Sequence, residues 1–358
     1  MAEEGRTEKE WLEECQRLNN NPVVNKHYQT LAQERKVGVI YPGTGGEIPI
    51  LFARGKSLAE AWENSLVCLW ENGTFVRTQY DQKNKVGLYI DPPAKDSTMT
   101  MVVESPLSDP MIHRAFPGGL EDLEEYRQEV VEGVKDHWVR NPNDPTDERW
   151  EYTYHGRLFS YDVPGNPNVV YDVPGKLKVV NQFEEMAKAL ANSPITRRAQ
   201  MITWKPWEDL NIHDPACLQS FWGRGLRANP QCPLTLYSDE ATGELILNMN
   251  MRFRSRDSYD AAFMNDFAFV HLIQKMAQRI SELRGEPVRV GRFMDMSDSY
   301  HIYGRRIPHF LENFVKQLET RTFEDRTWDL EFAQPIFDEA KPKIKAKIEK
   351  VDNQRKNS

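Results

Sequence analysis

From Leu245 to Arg254 the side chains alternate, with Leu245, Leu247, Met249, Met251 and Phe253 on one face and Asn248, Asn250, Arg252 and Arg254 on the other. Successive strand residues point to opposite sides, so this run is a strand with one face in a core and one face lining something polar. Ala261 to Leu283 follows, and Phe263, Met264, Phe267, Val270, Ile273, Met276, Ala277 and Ile280 spread an apolar surface too broad for a helix lying on the outside. Gly285-Glu286-Pro287 stops it. A half-buried strand feeding a long central helix points to an α/β fold (α+β in the stricter sense), a mixed sheet flanked by helices.

The rest of the chain agrees. Short helices are expected over residues 3–18, 58–70 and 183–191, a strand over 98–103, a charged helix over 120–138 and an extended run over 199–204. Asn19-Asn20-Asn21-Pro22 should end the first helix, and the prolines and glycines between Arg157 and Lys176 predict an elaborated loop. With 358 residues, 39% of them hydrophobic, the chain can bury a large core. No apolar run approaches the roughly 20 residues that cross a bilayer, and the first residues are polar and acidic, unlike a secretory signal. Four cysteines without a Cys-x-x-Cys pair or zinc spacing imply free thiols in a reducing, cytoplasmic setting and no metal site. The net charge of −8 argues against a nucleic-acid coat. A phosphate ligand would have to be met by a local gathering of arginines. Lys341 to Ser358 holds seven basic and two acidic residues and reads as a solvated, partly helical tail.

Chemistry-bearing residues collect in the second half. Cys217, in Asp214-Pro215-Ala216-Cys217-Leu218-Gln219, has Arg197 and Arg198 upstream and Arg252, Arg254 and Arg256 downstream. Nearby guanidinium groups lower a thiol pKa and hold phosphate.

The segments Asn192-Ser193-Pro194-Ile195-Thr196-Arg197-Arg198, Thr203-Trp204-Lys205-Pro206, Pro215-Ala216-Cys217, Arg254-Ser255-Arg256-Asp257, Asn265 and His301-Ile302-Tyr303, in that order, resemble the thymidylate synthase superfamily over residues 180–310. The resemblance implies a nucleophile at Cys217 and a nucleotide phosphate held by Arg254, Ser255 and, across a homodimer interface, Arg197 and Arg198. It also implies an acid near the base at Asp257, a base-reading amide at Asn265, eleven residues beyond Arg254, and sugar contacts from His301 and Tyr303. Asparagine suits uracil, whereas aspartate there would favour cytosine. Arg77 is the candidate for a further phosphate arginine of this family, and Glu129 for its proton-relaying glutamate. The implied donor is 5,10-methylenetetrahydrofolate.

Several positions depart from the family pattern. Leu218 follows the nucleophile in place of His, Phe253 replaces Gln, and Tyr259-Asp260-Ala261-Ala262-Phe263-Met264 replaces a Leu-Gly-x-Pro-Phe run. Tyr152-Thr153-Tyr154-His155-Gly156-Arg157-Leu158 stands where a Tyr-Gly-x-Gln-Trp stretch is usual, without its tryptophan, and residues 224–233 read as an inserted loop. A reshaped folate wall admits water, so the pattern looks closest to phage-type deoxyuridylate hydroxymethylases, which would act in the host cytoplasm. Thymidylate synthesis is the alternative, and an inactive nucleotide- or nucleic-acid-binding regulator is a third reading, against which Cys217 argues. The expected organisation is an amino-terminal extension over residues 1–50, a catalytic domain over 51–330 and a basic tail over 331–358. A pyrimidine nucleotide is the expected partner, with neither membrane nor nucleic acid.

Overall fold

The computed structural model describes residues 5–140, 146–162, 179–210, 212–228 and 243–356. In chain order its elements are α1 (Glu8–Asn19), α2 (Pro22–Gln33), β1 (Val37–Tyr41), β2 (Ile50–Gly55), α3 (Leu58–Asn72), β3 (Thr74–Val76), β4 (Ala94–Val103), β5 (Ile112–His113) and α4 (Leu120–Glu132). Next come α5 (Tyr154–Phe159), β6 (Tyr161–Asp162), β7 (Val179–Val180), α6 (Gln182–Asn192), β8 (Gln200–Ile202), α7 (Pro206–Asp209), β9 (Leu218–Arg227) and β10 (Leu245–Phe253). The last are β11 (Arg256–Asp257), α8 (Ala262–Arg284), β12 (Val288–Ile302), α9 (Ile307–Phe310), α10 (Lys316–Thr320), β13 (Thr327–Trp328) and α11 (Leu330–Lys356).

Nine strands form one mixed sheet in the order β1-β2-β4-β12-β10-β9-β8, with β3 also pairing to β4 and β11 to β12. β2 and β4 run parallel, while β1–β2, β4–β12 and β8–β9 are antiparallel. The alternation of β10 is realised in its burial, with Leu245, Leu247, Met249, Met251 and Phe253 all at most 2% exposed. α8 is the long central helix its apolar spread predicts, and Phe263, Phe267, Phe269 and Val270 are buried along it.

The chain divides into two compact units, one made of Met1–Gly119, Phe253–Asp266 and Phe293–Pro335, the other of Leu120–Arg252, Phe267–Arg292 and Ile336–Ser358. In the first, α3 is buried along its length, and its Glu63 holds His113 at 2.8 Å and Arg326 at 2.7 Å in a buried ion group. In the second, α4 ends at Gly133, whose φ of +69° suits glycine and where a Cβ would meet the His155 ring at 2.3 Å. The chain then makes a short 3-10 turn, Asp136–Trp138, in place of the continuous helix expected to residue 138.

Other differences have local causes. Pro22 starts α2, because proline fits the first helical turn and the Asn21 side chain caps it by accepting from the amides of Val23 and Val24. Arg224 to Arg227, expected in a loop, belong to β9; residues 229–233 of that expected loop lie outside the described residues. Arg157 to Phe159 complete α5, and most of the loop expected after them also lies outside. The basic tail is the helix α11, whose Ala340, Ile344 and Ile348 pack on Trp138 while Lys343 and Lys347 pair with Glu121 and Glu125.

Candidate active site

In the second unit, Cys217 sits at the entry to β9 between the fully buried Ala216 and Leu218, and its own side chain is half-exposed. The Gln219 side chain donates to the Ala216 carbonyl at 3.0 Å, and Thr203 donates to the Leu218 carbonyl, so the backbone on both sides is tied down. The Leu218 amide donates to the Tyr154 hydroxyl at 3.4 Å. Tyr154 meets Tyr152 edge-on, with ring centroids 5.4 Å apart. Tyr152 is half-buried, and loss of solvent around its hydroxyl first, then Tyr154, Cys217 and Asp214, pushes its phenol well above the usual range. Two phenols therefore stand beside the thiol. Both lie in the Tyr152–Leu158 segment, where the sequence carries no signal that ties them to Cys217.

Cys217 is set apart by the state of the other thiols. Cys15 and Cys68 are buried, and burial raises them to about 11 and about 12. Neutral, enclosed thiols are poor nucleophiles. Cys232 lies outside the described residues. Arg197 and Arg198 are exposed on the approach to β8; the backbone there is held by Trp222 donating to the Arg197 carbonyl at 3.2 Å. Among the described residues neither arginine has a carboxylate within ion-pair reach.

The first unit holds the other expected residues. β11 runs parallel to β12, pairing Arg256 with Tyr300 and Asp257 with His301. One Asp257 oxygen accepts from the amides of Tyr259 (3.1 Å) and Asp260 (2.8 Å), fixing the turn that leads to α8, and burial lifts its carboxyl to about 6. Asn265 lies half-buried in the first turn of α8, and Arg254 and Ser255 are half-buried just before β11. β12 bulges against β4 between Ser297 and Tyr300, and Ser299 then reaches both Asp96 (2.9 Å) and the Nδ1 of His301 (3.1 Å). A hydroxyl has one proton. If Ser299 donates it to the Asp96 carboxylate, His301 must donate from Nδ1, which leaves Nε2 as an acceptor. That Nε2 is buried without a partner among the described residues. Burial lowers His301 to about 4 and raises Asp96 to about 6, so the imidazole is neutral near pH 7. Tyr303 packs edge-on against His301 at 4.6 Å. A neutral, pre-set acceptor suits a ligand hydroxyl, and Asp96 and Ser299 complete it.

Two arginines are placed differently from what the sequence predicts. Arg256 is no part of an open cluster: it is 2% exposed, bonded to Asp266 at 2.7 Å and to Asp295, and serves the core. Arg77 is not brought to His301. Phe75 pairs with Lys95 and His301 with Asp96, so neighbouring strand positions send these side chains to opposite faces of the sheet. Arg77 lines a cavity with Phe75 and Lys95 on their side. In the second unit Glu129 is largely buried, its pKa raised by that burial, and it shares the Lys135 ammonium with Glu125. Its charge is coupled to Asp136, which accepts from Thr153 (2.5 Å) and binds His155 (2.6 Å) on the segment that carries Tyr154.

A cavity of about 590 Å³ opens beside Tyr152, lined by Trp207, Thr153, Ser160 and several charged residues. Its cations are already neutralised: Arg140 by Glu151, Arg157 by Asp209, and Lys205 by Asp162 and Glu208. It suits a polar, uncharged ring more than a phosphate. Among the described residues no group of His, Cys, Asp or Glu could hold a metal ion, and no described helix is long and apolar enough to cross a membrane.

Comparison with known proteins finds distant similarities. No family model matches the chain. It is 23% identical over 263 residues to a protein of Methanosarcina acetivorans named "Putative thymidylate synthase", covering 74% of this chain and 94% of that protein. Proteins of the same name from Methanococcoides burtonii (23% over 250 residues, 70% and 88% covered) and Methanocaldococcus jannaschii (21% over 271 residues, 75% and 97%) are similar in the same way. These distant similarities support a thymidylate-synthase-like family.

Proposed function

We propose that this chain transfers a one-carbon unit to carbon 5 of deoxyuridylate through a covalent adduct at Cys217 and releases 5-hydroxymethyl-deoxyuridylate. The observation that carries the reading is the half-exposed Cys217 thiol, held beside two phenols while Cys15 and Cys68 are enclosed. Carbon 5 of uracil is too weak a nucleophile to attack a one-carbon donor. A thiolate adding at carbon 6 turns the ring into an enolate that is strong enough. Asn265, with one acceptor and one donor side by side, would hold the ring carbonyl and N–H as that charge develops. His301 would accept from the sugar hydroxyl, with Tyr303 packed against its ring. Arg254 and Ser255 would hold the phosphate, joined by Arg197 and Arg198 of a neighbouring copy, whose exposure supports a homodimer. Asp257 and Glu129, both with carboxyls raised by burial, are the candidates for moving protons.

The implied donor is 5,10-methylenetetrahydrofolate, which supplies a carbon at the oxidation level of formaldehyde. Tyr152 and Trp207 give the cavity beside Cys217's phenols flat walls, and Thr153, Ser160 and Asp136 give it polar groups; these residues fit a flat, polar ring. The charged lining retains water, which favours hydroxymethylation over hydride transfer. The name carried by the relatives favours the second reading, reductive methylation to thymidylate.

Thiol labelling tests the proposal. Among the three described cysteines Cys217 should react first, and deoxyuridylate should slow that reaction. C217A should bind the nucleotide and turn nothing over. Full activity in C217A would end the covalent reading.

A further inference from the structure

The first unit contains a second cavity, of about 520 Å³, that the one-carbon chemistry does not use. One wall is a stripe of α1, with Glu8, Trp11, Cys15 and Asn19 at helical spacing. The floor is the cross-strand pair Phe75 and Lys95. Lys95 is 1% exposed. Its ammonium donates to the Asn19 side-chain oxygen at 2.5 Å and lies 4.5 Å from the Phe75 ring centre. Among the described residues no carboxylate comes within ion-pair reach of it. An ammonium has three donors, and burying one without a counter-charge is costly.

Arg77 lines the same cavity. Its Nη1 is taken by Asp81 (3.1 Å) and the Asp91 carbonyl (2.9 Å), and its guanidinium lies 3.8 Å over the Tyr89 ring. Its Nε and Nη2 are buried without a hydrogen-bond partner among the described residues. Glu8 is 3.4 Å from Nε, but outside hydrogen-bond geometry and mostly exposed. The Cys15 thiol is neutral, raised to about 11, so it adds no opposing charge. Glu71 is the other acid acting on Lys95; one of its oxygens is held by Asn25 at 2.7 Å and the other is buried without a hydrogen-bond partner among the described residues, but neither comes within ion-pair reach of the ammonium.

We propose that this cavity is a binding site for a small oxyanion, a phosphate or carboxylate group, held by Lys95 and Arg77 and separate from the nucleotide site. The anion supplies the direct ion-pair contact that no described carboxylate makes with Lys95, and acceptors for the unfilled donors of both cations. Burial, against the opposing influence of Glu71, draws Lys95 down to about 7, so binding is accompanied by proton uptake and weakens as pH rises above that value. The site does not depend on the one-carbon reading.

The test is a thermal-unfolding titration of the full chain at fixed ionic strength and pH 6.5, with inorganic phosphate in one arm and acetate in the other. A saturable rise in Tm is expected in at least one arm, and the arm identifies the head group. K95M and R77Q should each shift the midpoint at least tenfold to higher concentration, while R254A keeps it. K95M replaces a buried ammonium by a side chain of similar length, and R77Q is a second, independent variant should it fold poorly. A response identical in K95M, R77Q and the parent chain, one lost in R254A alone, or one that never saturates would overturn the proposal.

Discussion

The hydroxyl of Ser299 lies 3.1 Å from Nδ1 of His301 and 2.9 Å from the Asp96 carboxylate, joining residues 203 positions apart. This relay fixes which imidazole nitrogen carries the proton. S299A removes it and leaves His301 free to present N–H where an acceptor is needed. The expected outcome is a rise in KM for the nucleotide of roughly fivefold to tenfold, the worth of one buried hydrogen bond, with a smaller change in kcat. Steady-state kinetics read the split, and an unchanged KM would remove His301 from the hydroxyl-binding role.

Arg254 and Arg256 stand two residues apart and should behave in opposite ways. R256M leaves Asp266 and Asp295 buried without their cation, which costs on the order of 3–5 kcal/mol of stability. R254A alters a half-buried side chain outside that ion group, and should weaken nucleotide binding while leaving urea unfolding nearly unchanged. Equal effects on stability would mean that both arginines serve the core.

Lys95 gives a pH signature. Its pKa falls from an ordinary 10.5 to about 7 in the folded chain, so between those values the unfolded chain binds more protons and stability rises with pH. A tenfold loss of proton affinity on folding corresponds to about 1.4 kcal/mol. K95M should therefore exceed the parent in stability most below pH 7, with the gap narrowing toward pH 10, measured by denaturant unfolding in buffers free of phosphate and carboxylate. A gap independent of pH would show that the lysine is not desolvated.

α11 is expected to matter for stability. Ile344 is 4% exposed and packs with Ala340 and Ile348 on Trp138, whose indole donates to Asp352 at 2.7 Å. I344A should cost about 2–4 kcal/mol, the usual range for a buried large-to-small change. A loss below about 0.5 kcal/mol, the range of surface substitutions, would restore the solvated tail expected from its charge.

What the sequence reveals follows from how local each signal is. β10 and α8 are readable because each carries its own periodicity. α2 is hidden because Pro22 reads equally as a stop and as a first-turn residue, and only the Asn21 cap decides. In β9, Gly225 looks like a loop residue; it lies under Pro194, where a side chain would collide. α11 has an apolar stripe, but its lysines and two prolines conceal it. Cys217, Asn265, Arg254 and His301 come from ordered motifs. Asp96 has no motif, and its pairing with Ser299 exists only through the register of β4 and β12. Tyr154 is in view, yet only its contact with the Leu218 amide ties it to the thiol.

The central claim is tested most directly by mass spectrometry of the nucleotide after the purified chain is incubated with deoxyuridylate and methylenetetrahydrofolate. The predicted result is 5-hydroxymethyl-deoxyuridylate with tetrahydrofolate released, absent in C217A. Thymidylate with dihydrofolate would contradict the hydroxymethyl outcome while keeping Cys217 chemistry, and unmodified deoxyuridylate would contradict the one-carbon transfer itself.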